Sequence, residues 1–273
     1  MRGTFHFHST FSHDGRNSLA EIASTLRHRG FSFCVMTEHF EDFDRPKFER
    51  YVKEVDDLNQ QGSFVLVPGV EVNLAGIDTI LFPARQYDDC IRFGDDARNG
   101  GSPLFSVLAH PSKYSFDKVA AHLARYKVTG FEAWNQQADS SYIPPLELLR
   151  SLRSHQGRHQ YHYFFGCDLH DVNLAVSNSL SLSDAVPVNG QSIAAELGAG
   201  RFSAVNSYTG VTFNNGSQAN GLDGWLEDVF RNPFLKGRLL RCIRRPLKSF
   251  YRVLPRRARH LTNNFKNYIR NKI

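Results

Sequence analysis

At 273 residues, with 41% hydrophobic and 22% charged side chains, the chain has the make-up of one large domain or a domain with an appendage, which excludes a disordered or fibrous protein. No apolar run approaches the roughly 20 residues that span a bilayer, and the first residues lack the charged, apolar and small sections of a signal peptide, so a cytoplasmic protein without a transmembrane segment is expected. The net charge of +6 conceals an asymmetry: all 27 acidic residues lie at or before Asp228 with only 19 Lys and Arg, a formal −8, while 14 uncompensated basic residues follow. A body at that charge repels phosphate unless bound cations change the local sign, and three divalent ions would supply about +6. Cys34, Cys90, Cys167 and Cys242 form no CxxC pair, which fits reduced thiols better than a disulfide framework.

In chain order, GTFHFHS is followed by SLAEIASTLRHRG, FSFCVMTEH and a polar helical stretch from Arg45 to Gln61, a strand, helix, strand, helix succession. The rhythm continues through FVLVPGVEVN, DTILFPA and SPLFSVLAHP, a helix around Lys118 to Tyr126, GFEAWN, a helix around Pro145 to Arg153, and HYFFGCDLH. Such alternation predicts an α/β fold with a parallel sheet or barrel.

His39, Glu71, His110, Asp168 and His170 each fall at the C-terminal end of a predicted strand, the end that carries chemistry in α/β barrels. His6 and His8 are two apart on the first strand, so period-two geometry predicts that both imidazoles point to one side and share an ion. Any one of these histidines is ordinarily a core or surface residue with a satisfied hydrogen bond. As a set, HxH, TEH, GVE, HP and DLH, each ending a strand, are costly groups to bury unpaired. Mixed imidazole and carboxylate ligands without thiolates suit zinc, manganese or iron(II).

In the same order, HFHSTFSHDG, TEHF, PGVEVN, LAHPS and GCDLH resemble the motifs of the PHP (polymerase and histidinol phosphatase) family, over about residues 1 to 205, and AAELGAGRFSAV is similar to the helix and turn that follow them there. The resemblance implies a distorted (β/α)7 TIM-like barrel over residues 1–221, two or three divalent metal ions, and hydrolysis of a phosphomonoester or small phosphodiester. It assigns His6, His8 and Asp168 to a first ion, Glu71 as a bridge to a second that His110 also holds, and His39 and His170 to a third. The last ligand of the third ion falls at His13 or Asp14; the FS-x-D form of the motif favours Asp14, leaving His13 as a substitute ligand or as an acid near the leaving group. Relatives carry a further histidine between the glutamate and HP motifs, where this chain has Asp78 or Thr79. That leaves the second ion weakly held, replaced by water, or completed by Glu132 of GFEAWN, for which a purely structural role is the alternative. Ions about 4 Å apart lower the pKa of a bridging water, orient the hydroxide for in-line attack and stabilise charge on phosphate oxygens. Arg16 and Lys113, after the first and HP motifs, are candidates for binding a phosphorylated small-molecule substrate, with solvated surface charge as the alternative. Trp134 and Asn135 line a pocket or belong to the core.

From Leu235 onward apolar residues recur every three or four positions among arginines and lysines, a basic amphipathic helical extension over residues 222–273. Its expected partner is an anionic membrane surface, with peripheral attachment, or nucleic acid. A nuclease or nucleotide phosphatase using this extension, and a non-catalytic metal-stabilised regulatory protein, are the competing functions.

Overall fold

Burial is continuous along β1 (Arg2–Phe7) after its first residue, with Phe5 and Phe7 fully enclosed, as in a strand covered on both faces. The computed structural model describes residues 1–62, 64–99, 102–139, 144–145, 148–149, 151–152 and 161–215. The expected boundary at 221, the basic extension and most of the helix around 145–153 lie outside the described residues. Helix α1 (Leu19–His28) opens with a reciprocal cap: Ser18 Oγ accepts from the Glu21 amide, and the Glu21 carboxylate accepts from the Ser18 amide. Its Leu19, Ile22 and Leu26 recur at helical spacing and are buried. Helix α2 (Arg45–Gln60) starts where Asp44 accepts from the Lys47 amide at 2.7 Å and Pro46 occupies the first turn, and it buries Phe48, Tyr51 and Val55.

Two of the apolar runs expected as single strands are broken near the middle. One gives β2 (Phe33–Met36) and β3 (Glu38–His39), interrupted at Thr37; the next gives β4 (Val65–Val67) and β5 (Val70–Leu74), interrupted at Pro68 and Gly69. A side chain at Gly69 would overlap the Met36 carbonyl, so the close approach of the two chains needs glycine there. There follow β6 (Ile77–Phe82), α3 (Tyr87–Asn99), β7 (Phe105–Leu108), α4 (Phe116–Arg125), β8 (Gly130–Asn135), β9 (His162–Gly166), β10 (Asn178–Ser181), α5 (Gly190–Gly198), β11 (Ser203–Asn206) and β12 (Val211–Asn214).

These strands form two six-stranded sheets, ordered β12-β11-β10-β1-β2-β4 and β3-β5-β6-β7-β8-β9, and the architecture is mixed α/β. The chain crosses between the sheets at both interruptions. The segment after β9 also stitches them: the Cys167 amide donates to the Phe5 carbonyl at 2.8 Å, the Asp168 amide to that of His6 at 2.8 Å, and the His8 amide to that of Leu169 at 2.9 Å. Phe5, Phe82 and Phe164, from both sheets, pack with ring centroids 4.7 to 6.2 Å apart. Their burial and mutual contact anchor the core that holds the site above them.

The sheets are not purely parallel. β6 runs antiparallel to both β5 and β7, because only Ala75 and Gly76 link β5 to β6, too short for a crossover. Both link residues have positive φ, 52° and 81°, as a two-residue hairpin turn requires. β10 to β12 form a further antiparallel run on β1. Helix α3 has no counterpart in the sequence reading. No helix among the described residues is long and apolar enough to cross a membrane, and Cys34, Cys90 and Cys167 are free, buried thiols.

His122 on α4 is 4% exposed and stacks on Tyr126; its Nδ1 makes no hydrogen bond. Burial, with Arg125 nearby, lowers its pKa to about 4. A folded-state pKa below the unfolded value near 6.5 means stability that is full above about pH 6.5 and is lost as the pH falls toward 4. His122→Phe should therefore melt with a growing advantage over the parent between pH 7.5 and pH 5, on the order of 1–2 kcal/mol at the lower pH; parallel melting curves check it, and a constant offset contradicts it.

Candidate metal centre

The backbone at the centre is bent to aim side chains. Among the described residues four non-glycines have positive φ, and three are candidate ligands: His6 at 70°, His110 at 28° and Asp168 at 54°. Such conformations cost on the order of 1–3 kcal/mol each and persist where the surroundings over-determine them. His6 sits in an irregularity of the β1–β2 register, between Phe5 and Phe7, and β1 ends before His8. The two rings lie 5.2 Å apart, brought together by this bulge rather than by the alternation of a regular strand.

Glu132, fully buried on β8, holds three groups. Its Oε1 accepts from His6 Nδ1 at 2.8 Å; its Oε2 accepts from the His110 amide at 2.7 Å and from Asn135 Nδ2 at 2.8 Å. Donation from Nδ1 fixes the His6 tautomer and leaves the Nε2 lone pair facing the centre. Room for this carboxylate comes from Gly166 on β9, where a Cβ would overlap Glu132 Oε1. Glu132 is thus a positioning group, the structural alternative left open by the sequence.

A second network fixes the loop after β1. Buried Glu38 accepts from the Ser9 amide, from Ser9 Oγ at 2.6 Å and from Ser12 Oγ at 2.6 Å. Burial pushes its carboxyl above the usual range, against these hydrogen bonds. Ser12 Oγ, having donated to Glu38, receives the His39 amide at 2.9 Å and lies 3.4 Å from His8 Nδ1. His8 thereby also turns Nε2 to the centre. Nothing in the TEH motif singled out Glu38, and neither Ser9, at the end of GTFHFHS, nor Ser12 was a candidate.

Around these rings lie the carboxylates. His6 Nε2 is 3.7 Å from Glu71 and 3.4 Å from Asp168; His8 Nε2 is 3.8 Å and 3.6 Å from the same two. His110 Nε2 lies 3.0 Å from Glu71 Oε1. On the outer side Asp14 Oδ2 is 3.0 Å from His170 Nε2 and 3.3 Å from His39 Nε2. Burial disfavours charge on His6, but Glu132, Asp168 and Glu71 outweigh it and raise its pKa well above the usual value. Burial, reinforced by His6 and His170, drives His8 down to about 4 despite Asp168. The neighbouring histidines overcome burial to hold Glu71, Asp168 and Asp14 below the usual carboxylate range.

This donor set fits divalent cations. His6 Nε2 and His8 Nε2 are buried without a hydrogen bond, a cost that donating their lone pairs to a cation would remove. Four groups each bring one ligand atom per residue within 4.8 Å of the others: His8, Asp14, His39 and His170; His6, His8 and Glu71; His6, His110 and Asp168; and Glu71, Asp78 and His110. They open on a cavity of about 270 Å³. Lys113 lines it, with Nζ 3.6 Å from Asp168 Oδ2. Arg16 does not line it; its guanidinium is mostly exposed, 3.6 Å from Asp171, while its amide donates to the His170 carbonyl. His13 is exposed beside the outer group, its ring 5.3 Å from His39 and its Nδ1 2.8 Å from Asp42. The hydrogen bond and charge of Asp42 raise its pKa. Trp134 is fully buried against Phe165, in the core.

No family model matches the sequence, and no curated protein matches it. Some solved structures are distantly similar. A protein from Bifidobacterium adolescentis, provisionally named a metal-dependent phosphoesterase, is 13% identical with a TM-score of 0.44, covering 63% of this chain and 88% of its own. An amidohydrolase from Chromobacterium violaceum, with bound sulfate and no metal, is 14% identical with a TM-score of 0.47, covering 68% and 93%. PsfC from Pseudomonas syringae is 14% identical with a TM-score of 0.48, covering 86% and 98%.

Replacing Glu132 by Gln removes the acceptor charge behind His6, and Gly166→Ala displaces the same carboxylate by overlap. Both should weaken divalent-ion binding by about 10- to 100-fold, read by calorimetric titration of the chelator-stripped protein; wild-type affinity in both would show that Glu132 does not position the site.

Proposed function

We propose that this chain is a metal-dependent phosphoesterase of the PHP type, acting on a phosphomonoester or small phosphodiester. The observation that carries the reading is the buried convergence of His6, His8, Glu71 and Asp168, with imidazole nitrogens turned inward and making no hydrogen bond. A distorted seven-stranded barrel is part of the reading. From β1 to β9, counting β2 with β3 and β4 with β5 as continuing strands gives seven, β10 to β12 lying outside the count, and the backbone bonds from residues 167–169 to β1 join last to first.

In this reading His6, His8 and Asp168 hold one ion, Glu71 and His110 a second, and Asp14, His39 and His170 a third, the ions being zinc, manganese or iron(II). Bound there, divalent cations supply Lewis acidity and a water of lowered pKa. Glu132 and the Glu38–Ser12 pair keep His6 and His8 in one tautomer and orientation. Lys113 offers an ammonium to a phosphate oxygen at the cavity, and Arg16, outside it, meets substrate only on approach. His13, oriented by Asp42, holds a proton at the rim for a departing alkoxide. Buried Glu71, His110 and Asp168 form the inner wall of the cavity, and exposed Asp14, Glu41, Asn73 and Lys113 form its open rim.

A second reading is favoured by the 14 basic residues that follow Asp228 without an acid: cleavage of oligonucleotides, or attachment to an anionic membrane surface, through residues 222–273. The non-catalytic, metal-stabilised protein is the remaining alternative.

Protein loaded with Mn2+ or Zn2+ should release phenol from aryl phosphates, and Asp168→Asn should lower the rate by at least about 100-fold. Chelation that lowers the melting temperature of a protein inert toward mono- and diesters in every metal tested would favour the non-catalytic alternative and sink this one. Deleting residues 222–273 should abolish cleavage of labelled oligonucleotides yet spare aryl phosphates if that segment holds nucleic acid; equal loss of both contradicts the nuclease reading.

A further inference from the structure

The β5–β6 hairpin brings a fourth candidate ligand carboxylate, Asp78, to the cluster beside Asp14, Glu71 and Asp168. Residues paired across an antiparallel ladder project to the same face, and the ladder pairs Asn73 with Asp78 and Glu71 with Ile80. Residues two apart on a strand share a face, so Glu71, Asn73 and Asp78 all project to one side. Asp78 Oδ2 lies 3.9 Å from His110 Nε2, and Glu71, Asp78 and His110 each bring a ligand atom within 4.8 Å of the other two.

Asp78 is held as metal-binding carboxylates are held. Asn73 Nδ2 donates to its Oδ1 at 2.7 Å, Tyr114 O–H donates to its Oδ2 at 2.5 Å, and its own amide donates to the Tyr114 oxygen at 3.1 Å. Burial and this hydrogen bond raise the Tyr114 pKa, so the phenol stays a donor. The nearby ammonium groups are directed elsewhere. Lys113 pairs with Asp168, and Lys118 donates to the Gly76 carbonyl at 2.7 Å. Two carboxylates and one imidazole are therefore gathered with a negative charge that a cation would match.

We propose that Asp78 is a protein ligand to a divalent ion shared with Glu71 and His110. This inference rests on the metal-dependent reading above. Two carboxylates and one imidazole make a harder site than the two imidazoles and one carboxylate of the outer group, Asp14, His39 and His170, so the two sites differ in preference: manganese at Glu71, Asp78 and His110, zinc at the outer group.

The test strips the full-length protein with chelator and titrates it separately with Mn2+ and Zn2+, counting bound metal by elemental analysis after gel filtration. Asp78→Asn should lose one Mn2+ equivalent, or bind it more weakly by over about 100-fold, while zinc binding at the outer group persists. Tyr114→Phe, which keeps the charge and removes its orienting donor, should weaken the same equivalent by about 10-fold. Asp78→His should restore the count with preference moved toward Zn2+. Full wild-type Mn2+ stoichiometry and affinity in Asp78→Asn overturns the proposal and leaves the hydrolase reading standing. Should that variant fail to melt cooperatively, unchanged Mn2+ affinity in Tyr114→Phe overturns it instead. A wild-type protein that takes up no divalent ion overturns both.

Discussion

One buried carboxylate ties the centre together. Glu132 takes a ring proton from His6 on β1, the amide of His110 after β7, and the side-chain amide of Asn135 at the end of its own strand. A carboxylate without water must have its lone pairs filled, and here the groups that fill them are those whose orientation decides the site. The space it occupies exists because β9 carries glycine at 166. Four separate stretches of sequence are thereby fixed to one another within a few ångströms.

The charge balance around this anchor has the same logic. Imidazoles and carboxylates are interleaved so closely that burial, which alone would neutralise all of them, is overcome for His6, Glu71 and Asp168 but not for His8. His8 is the ring with histidines on two sides, since His39 and His170 lie 4.4 and 4.3 Å from it. The left-handed backbone of His6, His110 and Asp168 is an added cost, offset by the packing of Phe5, Phe7 and Phe164 beneath. Local sequence would not choose these conformations; the assembled core imposes them.

Much of the scaffold was legible because burial leaves a periodic trace. SLAEIASTLRHRG and the stretch from Arg45 to Gln61 read as helices, and both are helical, while the apolar runs at 33–36 and 65–67 read as strands with no alternation to weaken them. Helix α3 was not legible, since Gly94 sits inside it, Ile91 is exposed, and its four acidic residues resemble a loop. Strand direction leaves no such trace: a period of two looks the same in β6 whether it pairs parallel or antiparallel. Candidate ligands were legible as His, Asp and Glu at strand ends. Their supports were not, because Glu38, Ser9 and Ser12 are recognisable only from three-dimensional partners, and Glu132 admitted two roles until its oxygens could be counted.

The two-residue link at Ala75 and Gly76 has a consequence for how this chain tolerates change in length. Because side chains alternate along a strand, a one-residue change there would transfer Asp78 to the opposite surface of β6, bringing Thr79 into its place on deletion and Ile77 on insertion. Most surface turns accept insertions freely. Here the count of residues in the bend specifies which functional group meets Glu71, so chain length is itself part of the chemistry.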